Sequence, residues 1–326
     1  MHDYCSTALP SETFLHNQYR IGSVLGHGGT GYVYEAWDTL TSKQVAIKEL
    51  FPHTICKRFS EKDWTVIYSS EEAQAFAFFR ANFLHEAKLM QELSKFPNLP
   101  AFYSAFEENG TIYIVQELLD GYSLNYYLKA HSMPLPEKEV TFIAKEVLYA
   151  LSSIHKLGYV HRDICCENIL LTFSGRVFLI DLGAACRSGC NKDGGNRIVR
   201  PGYSPPEQYE AQGILGPWSD IYAVGAVMYR TLTNQRLQPA NKRIHSDELK
   251  PPRFIKPNIS HKTAWLIKKA LSLDKNERFQ TTEIFLRELS QNRFLPKKGF
   301  LLFIAVSSIF LLTLLCVICL HIILLH

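Results

Sequence analysis

Between residues 19 and 50 the chain runs through short β-branched and aromatic stretches, YRIGSVLG, GYVYEAWD and KQVAIKEL, separated by glycine turns. That pattern predicts an antiparallel sheet. Residues 71–93 change period. Phe76, Phe79, Phe83, Ala87 and Met90 recur three or four positions apart, as on one face of an amphipathic helix. TIYIVQEL is strand-like again, and DGYSL after it reads as a turn into a largely helical half, with the boundary between Glu117 and Gly121. Beyond it, residues 138–157 are helical in pattern, GRVFLID is a strand, and SDIYAVGAVMYRTLT is an apolar helix expected to be buried.

A different pattern begins near the end. From Phe300 to Leu320 there is no charged residue in 21 positions, which at about 1.5 Å per residue matches a hydrocarbon core of about 30 Å. This predicts a transmembrane helix over 300–320. A buried core helix is the competing reading, but such helices are seldom apolar on every face for so long. Arg293, Lys297 and Lys298 precede the run, so the positive-inside tendency puts the preceding residues in the cytoplasm.

With 326 residues, 47% of them hydrophobic, the rest of the chain can bury a large core. A net charge of +4 with no long basic block gives no reason to expect a nucleic-acid partner. The opening MHDYCSTALP has neither the charged start nor the apolar run of a secretory leader, and the eight cysteines show no even framework, so a reducing cytosol is expected. Cys165, Cys166, Cys186 and Cys190 permit a redox or metal site, but their spacings match no zinc pattern, and small packing residues are the plainer reading.

Chemistry enters with the glycines. Gly26-His27-Gly28-Gly29-Thr30-Gly31-Tyr32-Val33 fits G-x-G-x-x-G-x-V between two strand-like runs, where Gly26, Gly28 and Gly31 would let backbone N–H groups approach phosphates. A dinucleotide fingerprint would need a helix directly afterwards, whereas GYVYEAWD is strand-like. Val45-Ala46-Ile47-Lys48 follows, with Ala46 and Lys48 on one face of the next strand. A surface lysine is the plain alternative there, but Glu86 in FLHEAKLM could pair with Lys48 and aim it.

His161-Arg162-Asp163-Ile164-Cys165-Cys166-Glu167-Asn168 matches H-R-D-x-x-x-x-N, a carboxylate to accept a hydroxyl proton and an amide oxygen to hold metal. A polar turn bonding to its own backbone would be credible for this motif alone. Thirteen positions after Asn168, Asp181-Leu182-Gly183 closes a strand-like run with another carboxylate suited to metal. Pro205-Pro206-Glu207, then Trp218-Ser219-Asp220, then Arg278 complete the series.

With these motifs in order, the chain from about Tyr19 to Arg293 resembles a eukaryotic-type protein kinase, and PGYSPPEQYEAQGILGPWSDIYAVGAVMYRTLT is most similar to the bacterial serine/threonine branch. The resemblance implies an α+β bilobal fold: an antiparallel N-lobe sheet with one helix over 19–117 and a mainly helical C-lobe over 121–293, after an N-terminal extension, 1–18. It implies ATP and Mg²⁺ as cofactors and proteins as substrates. By it, Lys48 pairs with Glu86, Asp163 is the catalytic base, and Asn168 and Asp181 bind Mg²⁺. Val33, Ala46 and Leu170 would enclose the adenine, backbone at Glu117 and Leu119 would bond its edge, Gln116 would be the gatekeeper, and Glu207 and Arg278 would form a structural ion pair.

Two positions depart from the family pattern. Cys165 stands where serine/threonine kinases carry a lysine that helps hold the transferring phosphoryl group, and Arg200 replaces the threonine before P-G-Y. We therefore expect Arg200 to restore some positive charge near the phosphates. The alternative is a nucleotide-binding pseudokinase with weak or no transfer. The segment Phe51–Ser70 is also longer than that branch usually carries.

Overall fold

The structure, a computed structural model, describes residues 7–60, 63–189 and 198–291. The apolar run at 300–320, the cluster Arg293, Lys297 and Lys298, and Cys190 lie outside the described residues. Among the described residues no helix is long and apolar enough to cross a membrane. The described residues divide into two compact units, one running to Leu119 and including Asp181–Gly183, the other holding Asp120–Ile180 and the described residues from Ala184 onward.

In chain order the first unit contains strands β1 (Phe14–Leu15), β2 (Tyr19–Gly28), β3 (Gly31–Asp38), β4 (Lys43–Leu50), β5 (Lys57–Arg58) and β6 (Val66–Ile67), helix α1 (Ala73–Leu93), and strands β7 (Phe102–Glu108) and β8 (Thr111–Glu117). Six of the strands form one antiparallel sheet in the order β1-β2-β3-β4-β8-β7, and β5 pairs with β6 inside the long connection after β4. Helix α1 buries Phe76, Phe83, Ala87 and Met90 as its period requires, together with Glu86. Phe79 is the exception on that face. It is only half-buried and meets the neighbouring Phe78 ring edge-on.

The second unit begins with β9 (Gly121–Ser123), α2 (Leu124–His131), α3 (Glu137–Lys156), β10 (Tyr159–Val160), β11 (Ile169–Thr172), β12 (Val177–Leu179) and β13 (Cys186–Arg187). It continues with α4 (Pro206–Tyr209), α5 (Pro217–Thr233), α6 (Ala240–Arg243), α7 (Pro252–Ile255), α8 (His261–Ala270) and α9 (Thr282–Ser290). The DGYSL segment is more than a turn: Gly121–Ser123 pairs with β11 as an edge strand, and the Ser123 hydroxyl then accepts from the Tyr126 N–H to cap α2. Helix α5 is buried on nearly every face, with α3 and α8 against it. A methyl group on Gly225 would come within 2.7 Å of the Ala270 Cβ, so that glycine lets α5 and α8 approach closely.

Candidate active site

In the first unit, strand register decides which side chains share a face. Val33 lies opposite Lys48, Lys48 opposite Ile114, and Ala46 opposite Gln116, so these residues project to one side of the sheet. The Lys48 Nζ donates to Glu86 Oε1 at 2.7 Å, to Glu86 Oε2 at 3.0 Å and to Asp181 Oδ1 at 3.0 Å. Burial alone would lower the lysine's pKa, but the charges of Asp181 and Glu86 outweigh it and hold the ammonium above its ordinary range. Glu86 is shifted upward, first by burial and further by Asp181, against the pull of Lys48. Asp181 is nearly half exposed, 46% by side chain, and sits at φ 67°, a left-handed backbone uncommon outside glycine.

The motif glycines divide into two kinds. A Cβ at Gly26 or Gly28 would meet nothing within 4 Å, so backbone there is open to a ligand. Gly31 is different. It lies at φ 150°, and a Cβ there would fall 1.8 Å from the Glu49 carbonyl oxygen, so β3 can lie on β4 only if this position is glycine. At the end of β8 the Glu117 N–H is spent on the Ala101 carbonyl, and Leu119, half-buried, closes the unit.

In the second unit the H-R-D segment is fixed from beneath by Asp220 on α5. Its carboxylate accepts the backbone N–H groups of His161 at 2.8 Å and Arg162 at 2.9 Å and lies 2.8 Å from His155 Nε2. Burial would raise this carboxyl's pKa, but the bonds and charges of His155 and His161 hold it below the usual aspartate range. Asn168 donates both to the Asp163 carbonyl and to Asp163 Oδ2, at 2.9 Å each, which leaves its amide oxygen as the atom for a cation. Leu170 lies on β11 opposite Phe178 and Ser123. Glu207 and Arg278 form a buried two-point pair at 2.8 and 3.1 Å, and the Ser219 hydroxyl also donates to Glu207.

Arg200, expected to lend charge near the phosphates, is set against Asp163. Its Nε donates to Asp163 Oδ1 at 3.0 Å and its Nη2 to Asp163 Oδ2 at 2.7 Å, so the guanidinium grips the carboxylate at both oxygens. Cys165 is fully buried, and burial pushes its thiol far above the ordinary range, while that of Cys166 is pushed up to about 12. Neither is a thiolate that could bind metal or react readily. Among the described residues no group of three His, Cys, Asp or Glu side chains could hold a metal ion.

Two clusters were missed by sequence reasoning. One is the anchoring role of Asp220, which the motif Trp218-Ser219-Asp220 named without a partner. The other surrounds Glu49, fully buried, which accepts from Tyr34 Oη at 2.8 Å, Tyr113 Oη at 2.9 Å and Arg58 Nη2 at 2.8 Å. Arg58 comes from the long 51–70 connection and also donates to the Thr7 carbonyl, tying the N-terminal segment to the sheet. The only hint was a charged residue in the apolar run of β4.

Each unit carries a hard oxygen donor, the Asp181 carboxylate in one and the Asn168 amide oxygen in the other, of the kind that suits a divalent cation. Together, an antiparallel sheet with a Lys48–Glu86 pair and a helical unit carrying Asp163 and Asn168 define a protein kinase. The protein kinase domain family matches residues 19–289, and the chain belongs to that family. Members of that family use ATP and a divalent metal to act on protein substrates.

Its relatives include serine/threonine-protein kinase PknA of Nostoc sp., 29% identical and covering 85% of this chain and 48% of that protein. Serine/threonine-protein kinase PrkC of Bacillus subtilis is 30% identical, covering 82% of this chain and 39% of that one. The chain thus spans less than half the length of these curated relatives. The solved structure titled "PpkA-294 apo form" has the same fold, with TM-score 0.76 and 28% identity over 87% of this chain and 100% of that one.

Proposed function

We propose that this chain is a membrane-anchored serine/threonine protein kinase that transfers the γ-phosphoryl group of Mg·ATP to a Ser or Thr hydroxyl. The observation that carries the reading is the Lys48 ammonium held between Glu86 and Asp181, a fixed cation aimed by a buried carboxylate. In this reading Lys48 binds the nucleotide phosphates and Glu86 positions it. Backbone at Gly26 and Gly28 approaches the phosphates, with Gly31 closing the loop. Val33, Ala46 and Leu170 receive the adenine, and the backbone of Glu117 and Leu119 bonds its edge.

Asn168 and Asp181 would hold Mg²⁺, which when bound neutralises charge on the phosphates. Asp163 accepts the acceptor hydroxyl's proton as the new P–O bond forms and the bond from the γ-phosphorus to the β–γ bridging oxygen breaks, leaving ADP. Residues 19–293 form the kinase domain, with lobes at 19–117 and 121–293 after the extension 1–18. The 300–320 segment crosses the membrane, with the domain on its cytoplasmic side.

A second reading, a nucleotide-binding pseudokinase, is favoured by one observation: Arg200 occupies both oxygens of the proposed base. Labelled ATP offered to the full chain separates the two, with Asp163→Ala and Lys48→Met as controls. Transfer by the wild type that both substitutions abolish supports the kinase; equal labelling in all three excludes intrinsic activity. For the anchor, the full chain should pellet with membranes after alkaline carbonate washing, and a chain lacking 300–320 should not.

A further inference from the structure

We infer that Arg200 sets substrate specificity, selecting acceptor hydroxyls flanked by an anionic side chain. This rests on the kinase reading above. A carboxylate offers about four acceptor positions. At Asp163 three are filled, one on Oδ1 by Arg200 Nε at 3.0 Å and two on Oδ2 by Arg200 Nη2 at 2.7 Å and Asn168 Nδ2 at 2.9 Å. One acceptor position stays open, on Oδ1 beside Arg200 Nε, so a hydroxyl that is to give Asp163 its proton must approach an oxygen the guanidinium already holds. Asn168 comes from the same loop as Asp163, so Arg200 is the partner that must yield.

The arrangement lets it yield without moving the backbone. The Arg200 N–H donates to Ser204 Oγ at 2.9 Å, and its carbonyl accepts from Tyr203 and Ser204 N–H groups at 2.9 Å each, which pins the main chain. The side chain is 45% exposed, against 9% for Asp163, so the guanidinium swings by side-chain torsions alone while its partner stays buried. No lysine at Cys165 competes for the incoming anion, because that side chain is an uncharged, fully buried thiol.

What draws the guanidinium off is decided by charge. A neutral acceptor breaks a two-point ion pair and offers nothing in return. An acceptor with Asp, Glu or a phosphorylated residue beside the hydroxyl exchanges one carboxylate-type partner for another and frees Asp163 in the same event. Arg200 is in this sense a positioning residue for Asp163 and the reader of the acceptor's neighbour.

The test is a set of peptides with one Ser or Thr flanked by Asp and Glu, by Ala, or by Lys, phosphorylated by the full wild-type chain and by its Arg200→Thr, Arg200→Gln and Arg200→Lys variants. Fold is checked by thermal melting and ATP binding. The wild type should favour the acidic flank over Ala by about tenfold or more in kcat/KM, the scale of one charged hydrogen-bond pair. The preference should fall to about twofold or less in Arg200→Thr and Arg200→Gln and return in part in Arg200→Lys. Equal wild-type use of acidic and Ala flanks overturns the inference while the kinase reading stands. A preference that persists in Arg200→Thr also overturns it. If all three variants bind ATP but phosphorylate nothing, Arg200 belongs to turnover itself and the inference falls. If the wild type labels no peptide of any kind, both readings fall together.

Discussion

Asp220 accepts the backbone N–H of Arg162 at 2.9 Å, and Arg162 sits at φ 70°. A buried carboxylate thus holds a non-glycine residue in a left-handed conformation one position before Asp163. Asp220→Asn keeps the shape but turns an amide NH₂ toward donors, and it should cost about 2–4 kcal/mol at neutral pH in urea unfolding. The pH dependence has a definite sign. Because the folded pKa is depressed, the stabilisation is fully present above the unfolded aspartate value of about 3.9 and is lost as pH falls through the folded value. Wild type and variant should therefore converge as the pH falls below about 4, and a gap that stays constant there would show that the charge is not what matters.

Lys48 links two carboxylates that are 38 and 133 residues away in the chain. Lys48→Met should reduce phosphoryl transfer about 100-fold or more, since in the proposed function it removes a preorganised charge from the phosphates. It also leaves Glu86 buried without its cation. The double variant Lys48→Met/Glu86→Gln should melt higher than Lys48→Met alone, and additive losses in a double-mutant cycle would show that the two do not act as a unit.

Much of this could be read in the sequence because the relevant signals are local. Period two marked β3 and β4, the apolar stripe marked α1, and the strand-like run before Asp181 marked β12. The Arg200 target was not readable in this way. A side chain 37 residues from Asp163 reaches it only through the tertiary fold, which no local propensity specifies. The Glu49 cluster was hidden for a related reason. A strand pattern says which face Glu49 takes but not that Arg58 returns from the following connection to meet it.

That cluster makes its own prediction. Glu49 has no solvent access, so Arg58→Ala leaves a buried carboxylate with only the Tyr34 and Tyr113 hydroxyls. We expect a loss of about 3–5 kcal/mol in urea unfolding. Adding Glu49→Gln should recover part of it, because a neutral amide costs less to bury than an unpaired charge. No recovery would mean that Arg58 acts through packing on the Phe51 ring, 4.6 Å away, instead of through charge.

Glu207 and Arg278 supply a parallel case in the helical unit. Both are buried, and Arg278 also donates to the Ser272 and Leu273 carbonyls, so it keeps partners if Glu207 is lost. Arg278→Ala should therefore cost more than Glu207→Gln, the former about 3–5 kcal/mol. Denaturant midpoints that rank the two in the opposite order would refute this account of the pair.

The glycine motif offers a test that separates two roles within one loop. At Gly28 a methyl group meets nothing within 4 Å, so Gly28→Ala should leave the melting temperature within a few degrees of wild type while raising KM for ATP, because the only thing it can obstruct is a ligand. At Gly31 the same methyl group would lie 1.8 Å from the Glu49 carbonyl oxygen and 2.7 Å from the Phe51 nitrogen, both main-chain atoms that cannot rotate away. Gly31→Ala must therefore push β3 from β4, and a loss of about 2–4 kcal/mol is expected before any nucleotide is added. Because Lys48 sits on β4 opposite Val33, the same displacement should weaken ATP binding as a secondary effect. If Gly31→Ala instead melts like wild type and changes only KM, the third glycine serves the phosphates directly and the packing reason given for it here is wrong.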